Sequence, residues 1–384
     1  MPWSNPSLDY MTALSLARRS VEEAGFPLPS LSRSDDHVAK RSLSGASIAG
    51  ANFADPSVIQ TSDGKWYAFA TRTIGSVTHI QAAQSPDFET WTLVVNADSS
   101  QYDALPSMPA WVATGPSTTW APDVMQVADG TFVMYYSALA APSPTHHCIG
   151  AATASSVLGP YTPVGPEAMI CPLDQGGAID ASGFIDNGQR YVVYKVDGNS
   201  IGHGGACNNA IAPFVSTPII LQPVAADGIT FNGAATTLLD NAGASDQGVV
   251  EAPALMKSGS TYVLFFSSNC FADGHYTLSY ATSTSVMGPY ARAAQPLLQT
   301  GDNGFASPGG ADVAVDDQHL LFHAAYNGGR AMYRLSLTSL RVLFLSREAF
   351  SGRDVVPCVF SEVLEAFLFL LDLLDYSVNL SSLQ

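Results

Sequence analysis

At 384 residues, with 47% hydrophobic and only 13% charged side chains, the chain can bury a sizeable core and is too apolar for wholesale disorder. A formal charge of −17, with just 16 basic residues and no run of them forming a patch, argues against nucleic acid as a partner, since phosphate binding needs clustered Lys and Arg. No stretch is long and charge-free enough to span a bilayer, because the most apolar one, VFSEVLEAFLFLLDLLDYSV, carries Glu362, Glu365, Asp372 and Asp375.

In chain order, residues 1–50 read as a poorly ordered leader or linker. They contain a dibasic Lys40-Arg41 and lack the apolar core of a signal peptide, so the expected reading is a leader whose signal sequence is missing. From residue 51 to about 340 the text changes: 32 Gly and 24 Pro, interleaved with Thr, Val and Tyr, point to short strands and tight turns.

This region contains a repeat. Five segments share an acid, a short apolar strand, a turn and an aromatic-rich strand: DPSVIQTSDGKWYAFATR, APDVMQVADGTFVMYYSA, IDASGFIDNGQRYVVYKV, VEAPALMKSGSTYVLFFSS and GADVAVDDQHLLFHAAY. Their acids are Asp55, Asp123, Asp180, Glu251 and Asp312, separated by 68, 57, 71 and 61 residues. The turns SDG, ADG, DNG and KSG are hairpin signals. Further hairpins echo one another, IGAATASSVLGPYTPV at 149–164 and LSYATSTSVMGPYARA at 278–293, with IQAAQSPDFETWTLV at 80–94 a looser third. Each unit is therefore two hairpins, and radial closure of five units predicts an all-β, five-bladed β-propeller over 51–340. A β-sandwich competes, but it leaves the repeated acid unexplained.

In a propeller, acids that begin the innermost strands converge on one mouth, where like-charge repulsion separates a proton donor from a proton acceptor. Asp55 precedes Pro56, which also suits an ordinary turn. Glu251 sits in the apolar run GVVEAPAL, where an unpaired carboxylate is costly. Residue pattern alone gives Asp123 and Asp180 equivalent places and does not choose between them. Of the five cysteines, none has metal spacing. Up to two disulfides or buried free thiols fit equally, the connectivity is open, and Cys358 would be left over.

The motifs DPSVI at 55–59, WAPDV at 120–124, IDASGF at 179–184 and VVEAPAL at 249–255 resemble, in order and spacing, the blade motifs of glycoside hydrolase family 43. The resemblance implies an inverting glycosidase, with Asp55 as general base, Glu251 as general acid, and Asp180 orienting the acid and keeping its proton on. It implies a plant cell-wall pentosan as substrate, an α-L-arabinofuranosyl bond first and a β-D-xylosyl or galactan bond next. A non-catalytic carbohydrate-binding propeller is the rival of another class. Trp120, Phe53, Phe184, His323 and Arg330 are the expected substrate contacts, with Trp111 a neighbour of the pocket. Many family members carry a His in a GPGH-type turn that helps hold an axial calcium ion. Here the turn is SPGGAD at 307–312, so no metal ligand is assigned and no cofactor is expected to be required. A secreted monomer is expected. The text from 341 to 384 has helical apolar spacing and no blade pattern, and a mis-spliced gene accounts for it better than a real C-terminal helix.

Overall fold

The computed structural model describes residues 45–48, 50–72, 76–115 and 119–337. The leader reading of residues 1–44, the tail reading of 338–384 and Cys358 lie outside the described residues. The rest is a five-bladed β-propeller.

Blades one to four are four-stranded antiparallel sheets and blade five has three strands of its own. The innermost strands are Ser57–Gln60, Trp120–Gln126, Ala178–Asp186, Val250–Ser258 and Gly309–Val313, and each contacts the next around the ring. Burial follows the radius. The second strand of blade one, Trp66–Thr71, is buried at every residue because it lies between neighbouring blades, whereas its outermost strand, Thr92–Leu93, is exposed. That is why WYAFAT and YVLFFSS read as apolar runs rather than alternating ones. The blades touch through aromatic and aliphatic clusters, such as Phe69, Ile80, Met134, Tyr136 and Tyr161 between blades one and two. The DNG turn is a tight one, with Asn187 (φ 49°) and Gly188 (φ 84°) both left-handed, as a two-residue hairpin requires.

Closure is not made by a fourth strand in the fifth repeat. Residues preceding blade one run along its last strand instead: Ser47 N–H donates to the Met332 carbonyl and Phe53 N–H to that of Arg330, both at 2.8 Å. Ile48 is buried there. The ring is thus fastened from Ser47, a little ahead of the repeat that marks it in sequence.

Two disulfides join loops: Cys148–Cys171 within blade two, and Cys207–Cys270, which ties the long insert of blade three to a loop of blade four. Cross-links of this kind typically add about 2–4 kcal/mol by restricting the unfolded chain.

Candidate active site

One backbone step recurs in every blade. Asp55 (φ 51°), Ala121 (φ 39°), Asp180 (φ 58°), Ala252 (φ 50°) and Gly310 (φ 56°) are all left-handed, at the start of the innermost strand. In blades two to five the strand register shifts at this point, so the step is a β-bulge. A bulge re-aims the side chains beside it, and left-handed non-glycine residues are strained by of order 1–3 kcal/mol each. The five left-handed steps place residues 55–57, 121–123, 180–182, 252–253 and 310–312 around one small cavity of about 40 Å³.

The bulge sets a register that the acids do not share, and this corrects the expectation of one acid at the same place in each repeat. Asp55 and Asp180 are the left-handed residues themselves, Glu251 precedes its bulge residue by one, and Asp123 and Asp312 follow theirs by two. Asp123 is therefore not the counterpart of Asp180; it matches Ser57 and Ser182. Asp123 Oδ2 accepts the Gly183 N–H and Asp312 Oδ2 the Val58 N–H, both at 2.8 Å, so each stitches its blade to the next inner strand.

Burial pushes the Asp123 carboxyl up to about 7, and burial together with Asp123 raises Asp312 well above the carboxylate range. A carboxyl raised in the folded state keeps a proton that the unfolded chain has released. Its contribution to stability is therefore full below the ordinary carboxylate pKa and is lost as pH rises toward about 7. Asp123→Asn mimics the protonated form and keeps an acceptor for Gly183. It should raise Tm by about 2–4 °C at pH 8 and leave it unchanged at pH 4, measured by calorimetry. An equal change at both pH values would contradict a titrating Asp123.

A second ring lies opposite the bulges on the second strands. Thr71, Ser137, Lys195, Ser267 and His323 face the residue preceding the bulge in their own blades. Four of them accept the bulge N–H of the next blade: Thr71 Oγ1 from Ala121 (2.9 Å), Ser137 Oγ from Asp180 (3.1 Å), Ser267 Oγ from Gly310 (2.9 Å) and His323 Nδ1 from Asp55 (3.1 Å). Lys195 has no acceptor to offer. Its Nζ lies 2.9 Å from Glu251 Oε2 and 3.0 Å from Asp197 Oδ1, and the Ala252 N–H bonds Asp180 Oδ2 instead (2.9 Å).

The three expected catalytic carboxyls thus sit in different surroundings. Thr71 Oγ1 donates to Asp55 Oδ2 (2.5 Å) and Arg330 reaches Oδ1 (2.8 Å). Burial works to raise Asp55, but the Arg330 guanidinium first, and the Thr71 hydroxyl with it, outweigh burial and hold the carboxyl well below the usual range, so it is ionised. Asp180 goes the other way: burial first, then the Glu251 carboxylate, push it up to about 8. Glu251 Oε1 accepts the Tyr276 hydroxyl (2.9 Å) while Lys195 holds Oε2. Burial and the Arg330 guanidinium lower the His323 pKa against the pull of Asp55 and Glu251, so its ring is neutral. The Tyr276 and His323 rings are parallel with centroids 5.8 Å apart, so Glu251 and Asp55 are linked by a stacked pair rather than by a shared hydrogen bond.

Other expected contacts fall differently. Trp120 occupies in blade two the place of Glu251 in blade four, is 37% exposed and stacks on His147 at 3.5 Å between centroids. Arg330 reaches the mouth through Asp55. Phe53 and Phe184 do not line it: Phe53 is fully buried among Val58, Trp66 and Met332, and Phe184 is buried among the side chains packed between blades three and four. Trp111 is also core, stacked on Tyr136. His323 is 0% exposed and stands behind Asp55 on the second strand, so it contacts Asp55 rather than the open mouth.

Sequence reasoning missed Lys195, Tyr276, Thr71 and Phe271. Phe271 is half exposed beside the Cys207–Cys270 disulfide, with the Arg330 guanidinium 5.0 Å from its ring centroid. A signal for Lys195 was present, since a lysine inside YVVYKV breaks an apolar strand at the place of Thr71, Ser137, Ser267 and His323.

An axial cation would need a cage. A Cβ at Gly310, where many family members have His, would lie 2.4 Å from His323 Cε1 and 3.0 Å from Asp55 Oδ1, so no side chain fits. Among the described residues no group of three or more His, Cys, Asp or Glu side chains is arranged to hold a metal. The residues present do not fit such a site.

An ionised Asp55 and a proton-bearing Asp180, gathered with Glu251 at the mouth of a five-bladed propeller, are elements that acid–base cleavage of a glycosidic bond uses. The comparisons agree with that class. Residues 47–347 match the family model described as glycosyl hydrolases family 43. The chain belongs to this family of glycoside hydrolases.

It is similar to an extracellular endo-α-(1→5)-L-arabinanase of Bacillus subtilis, 26% identical over 264 residues, which is 65% of this chain and 52% of that protein. The chain thus spans about half the length of that relative. It is also 26% identical over 291 residues to a probable arabinan endo-1,5-α-L-arabinosidase A of Aspergillus flavus, covering 71% of this chain and 81% of the other. Among solved structures, a thermostable family-43 glycoside hydrolase shares the fold with a TM-score of 0.60 at 23% identity, over 75% of this chain and 90% of that one. The native Bacillus subtilis arabinanase does so with a TM-score of 0.56 at 23% identity, over 77% and 98%.

Proposed function

We propose that this chain hydrolyses α-L-arabinofuranosyl bonds of arabinan by single displacement with inversion. Asp55 is the general base, Glu251 the general acid and Asp180 the carboxyl that stores and orients the proton beside it. The observation that carries this reading is the opposite protonation of the two sides of the site: Arg330 keeps Asp55 charged, while Asp180, next to Glu251, keeps a proton to about pH 8. Asp55 then draws a proton from water on one face of the anomeric carbon as Glu251 gives one to the leaving oxygen on the other. The link between Asp55 and Glu251 through the stacked His323 and Tyr276 rings supports carboxyls set apart with room for that water. Trp120 offers a sugar-stacking face and Arg330 a donor for hydroxyls. The arabinan relatives support the substrate, and the extracellular character of the Bacillus subtilis relative, together with two disulfides, supports secretion. No helix among the described residues is long and apolar enough to cross a membrane. A monomer that needs no cofactor completes the proposal.

The test is proton NMR of the anomer first released from linear and branched arabinan, beside arabinoxylan and xylo-oligosaccharides. Inversion with arabinose or arabino-oligosaccharides is expected. Retention of configuration would overturn the mechanism, and xylose release with inert arabinan would overturn the substrate.

A further inference from the structure

We propose that Lys195 is a positioning residue for the proton donor: it fixes Glu251 from beneath and sets the upper pH limit of acid catalysis. The inference rests on Glu251 being the donor, and it deepens that assignment. Its basis is the single break in an otherwise regular ring. At four of five equivalent second-strand places, a Thr, Ser or His accepts the next blade's bulge N–H. At the fifth stands a lysine, fully buried, and two consequences follow from its lack of a lone pair. Its ammonium must find anions, and it finds Glu251 Oε2 and Asp197 Oδ1. The Ala252 N–H, left without its usual acceptor, is taken by Asp180 Oδ2, which turns the Asp180 carboxyl toward blade four. One residue choice thereby orients both carboxyls of the donor pair.

Burying an ammonium carries a desolvation penalty that pairing with Glu251 and Asp197 only offsets, so a purely structural lysine would be a poor choice where serine serves elsewhere. The groups facing Lys195 are Glu251, Asp197 and Asp180. Those facing Glu251 add Tyr276 and His323, with Asp55 beyond the stacked rings. Burial works to lower the Lys195 pKa, and the charges of Glu251 and then Asp197 outweigh it, so the lysine stays charged. A fixed positive charge favours ionisation of the pair beside it, and so limits how far up in pH the pair keeps its proton.

The test is the kcat/KM profile on arabinan for Lys195→Met and Asp197→Asn, with thermal melts as the folding control. Lys195→Met should move the basic limb up by about 1 pH unit, because the cation that favours proton loss is gone. It should lower kcat about 10-fold through loss of orientation, with KM changed by less than about 3-fold. Asp197→Asn, which leaves the ammonium less neutralised, should move the same limb down. Should Lys195→Met fail to fold, the Asp197→Asn shift decides alone. Basic limbs that stay at the wild-type position, or move together in one direction, would overturn the inference. Loss of turnover in Glu251→Gln with unmoved limbs sinks only the lysine's role, whereas an active Glu251→Gln sinks the donor assignment itself.

Discussion

Glu251→Gln should lower kcat on linear arabinan by about 10³–10⁴-fold and leave KM within a few-fold. Gln keeps the size of the side chain, with its amide oxygen left to accept from Lys195 and its NH2 turned to the Tyr276 hydroxyl oxygen, but it cannot deliver a proton. Lys195 still has Asp197, so the fold should survive. The loss should depend on the leaving group. An arabinosyl alkoxide needs protonation to depart, whereas a nitrophenolate does not, so the defect on an aryl arabinofuranoside should shrink to about 10-fold. Parallel kinetics on polymer and aryl substrate provide the check. Equal losses on both would mean that Glu251 is not the proton donor, and wild-type activity on arabinan would remove it from the mechanism.

The propeller was legible because its signals are local: a tight turn between an apolar strand and an aromatic one, five times over, with a glycine in four of the turns. Its closure was not, because the pairing of Ser47 and Phe53 with the last strand rests on backbone groups, which carry no residue signature. The convergence of the acids was legible, and their offsets were not. A β-bulge inserts one residue without changing the local pattern, so Asp123 and Asp180 look alike until the left-handed residues at Ala121 and Asp180 give the register. Phe53 shows the same limit. Nearness to Asp55 in sequence says nothing of which side of the chain a ring takes, and this one enters the core. The ring of Thr71, Ser137, Lys195, Ser267 and His323 is spread over some 250 residues of sequence, and its members differ in chemistry. Only their shared place opposite the bulge makes Lys195 stand out.

Asp55→Asn should lower kcat by about 10⁴-fold, and by the same factor on polymer and on aryl arabinofuranoside, because water must be activated whatever the leaving group. That uniformity separates the base from the acid. Asn keeps the Thr71 contact but no longer takes a proton, and Arg330 loses the anion 2.8 Å away. The variant also has a distinct pH signature. Asp55 is held below its ordinary pKa in the folded state, so its charge contributes stability above the ordinary carboxylate range, and that contribution is lost as pH falls through the folded value. The Tm deficit of Asp55→Asn should therefore be largest near neutrality and shrink toward acid, the reverse of the Asp123→Asn pattern. For the same reason wild-type kcat/KM should show no acid limb from the base near pH 4, the ordinary carboxylate value. Melting curves and pH–rate profiles on one preparation test both signs. A limb near pH 4 that vanishes in a variant lacking Arg330 would contradict the charge pairing, since removing the guanidinium should create such a limb rather than abolish it.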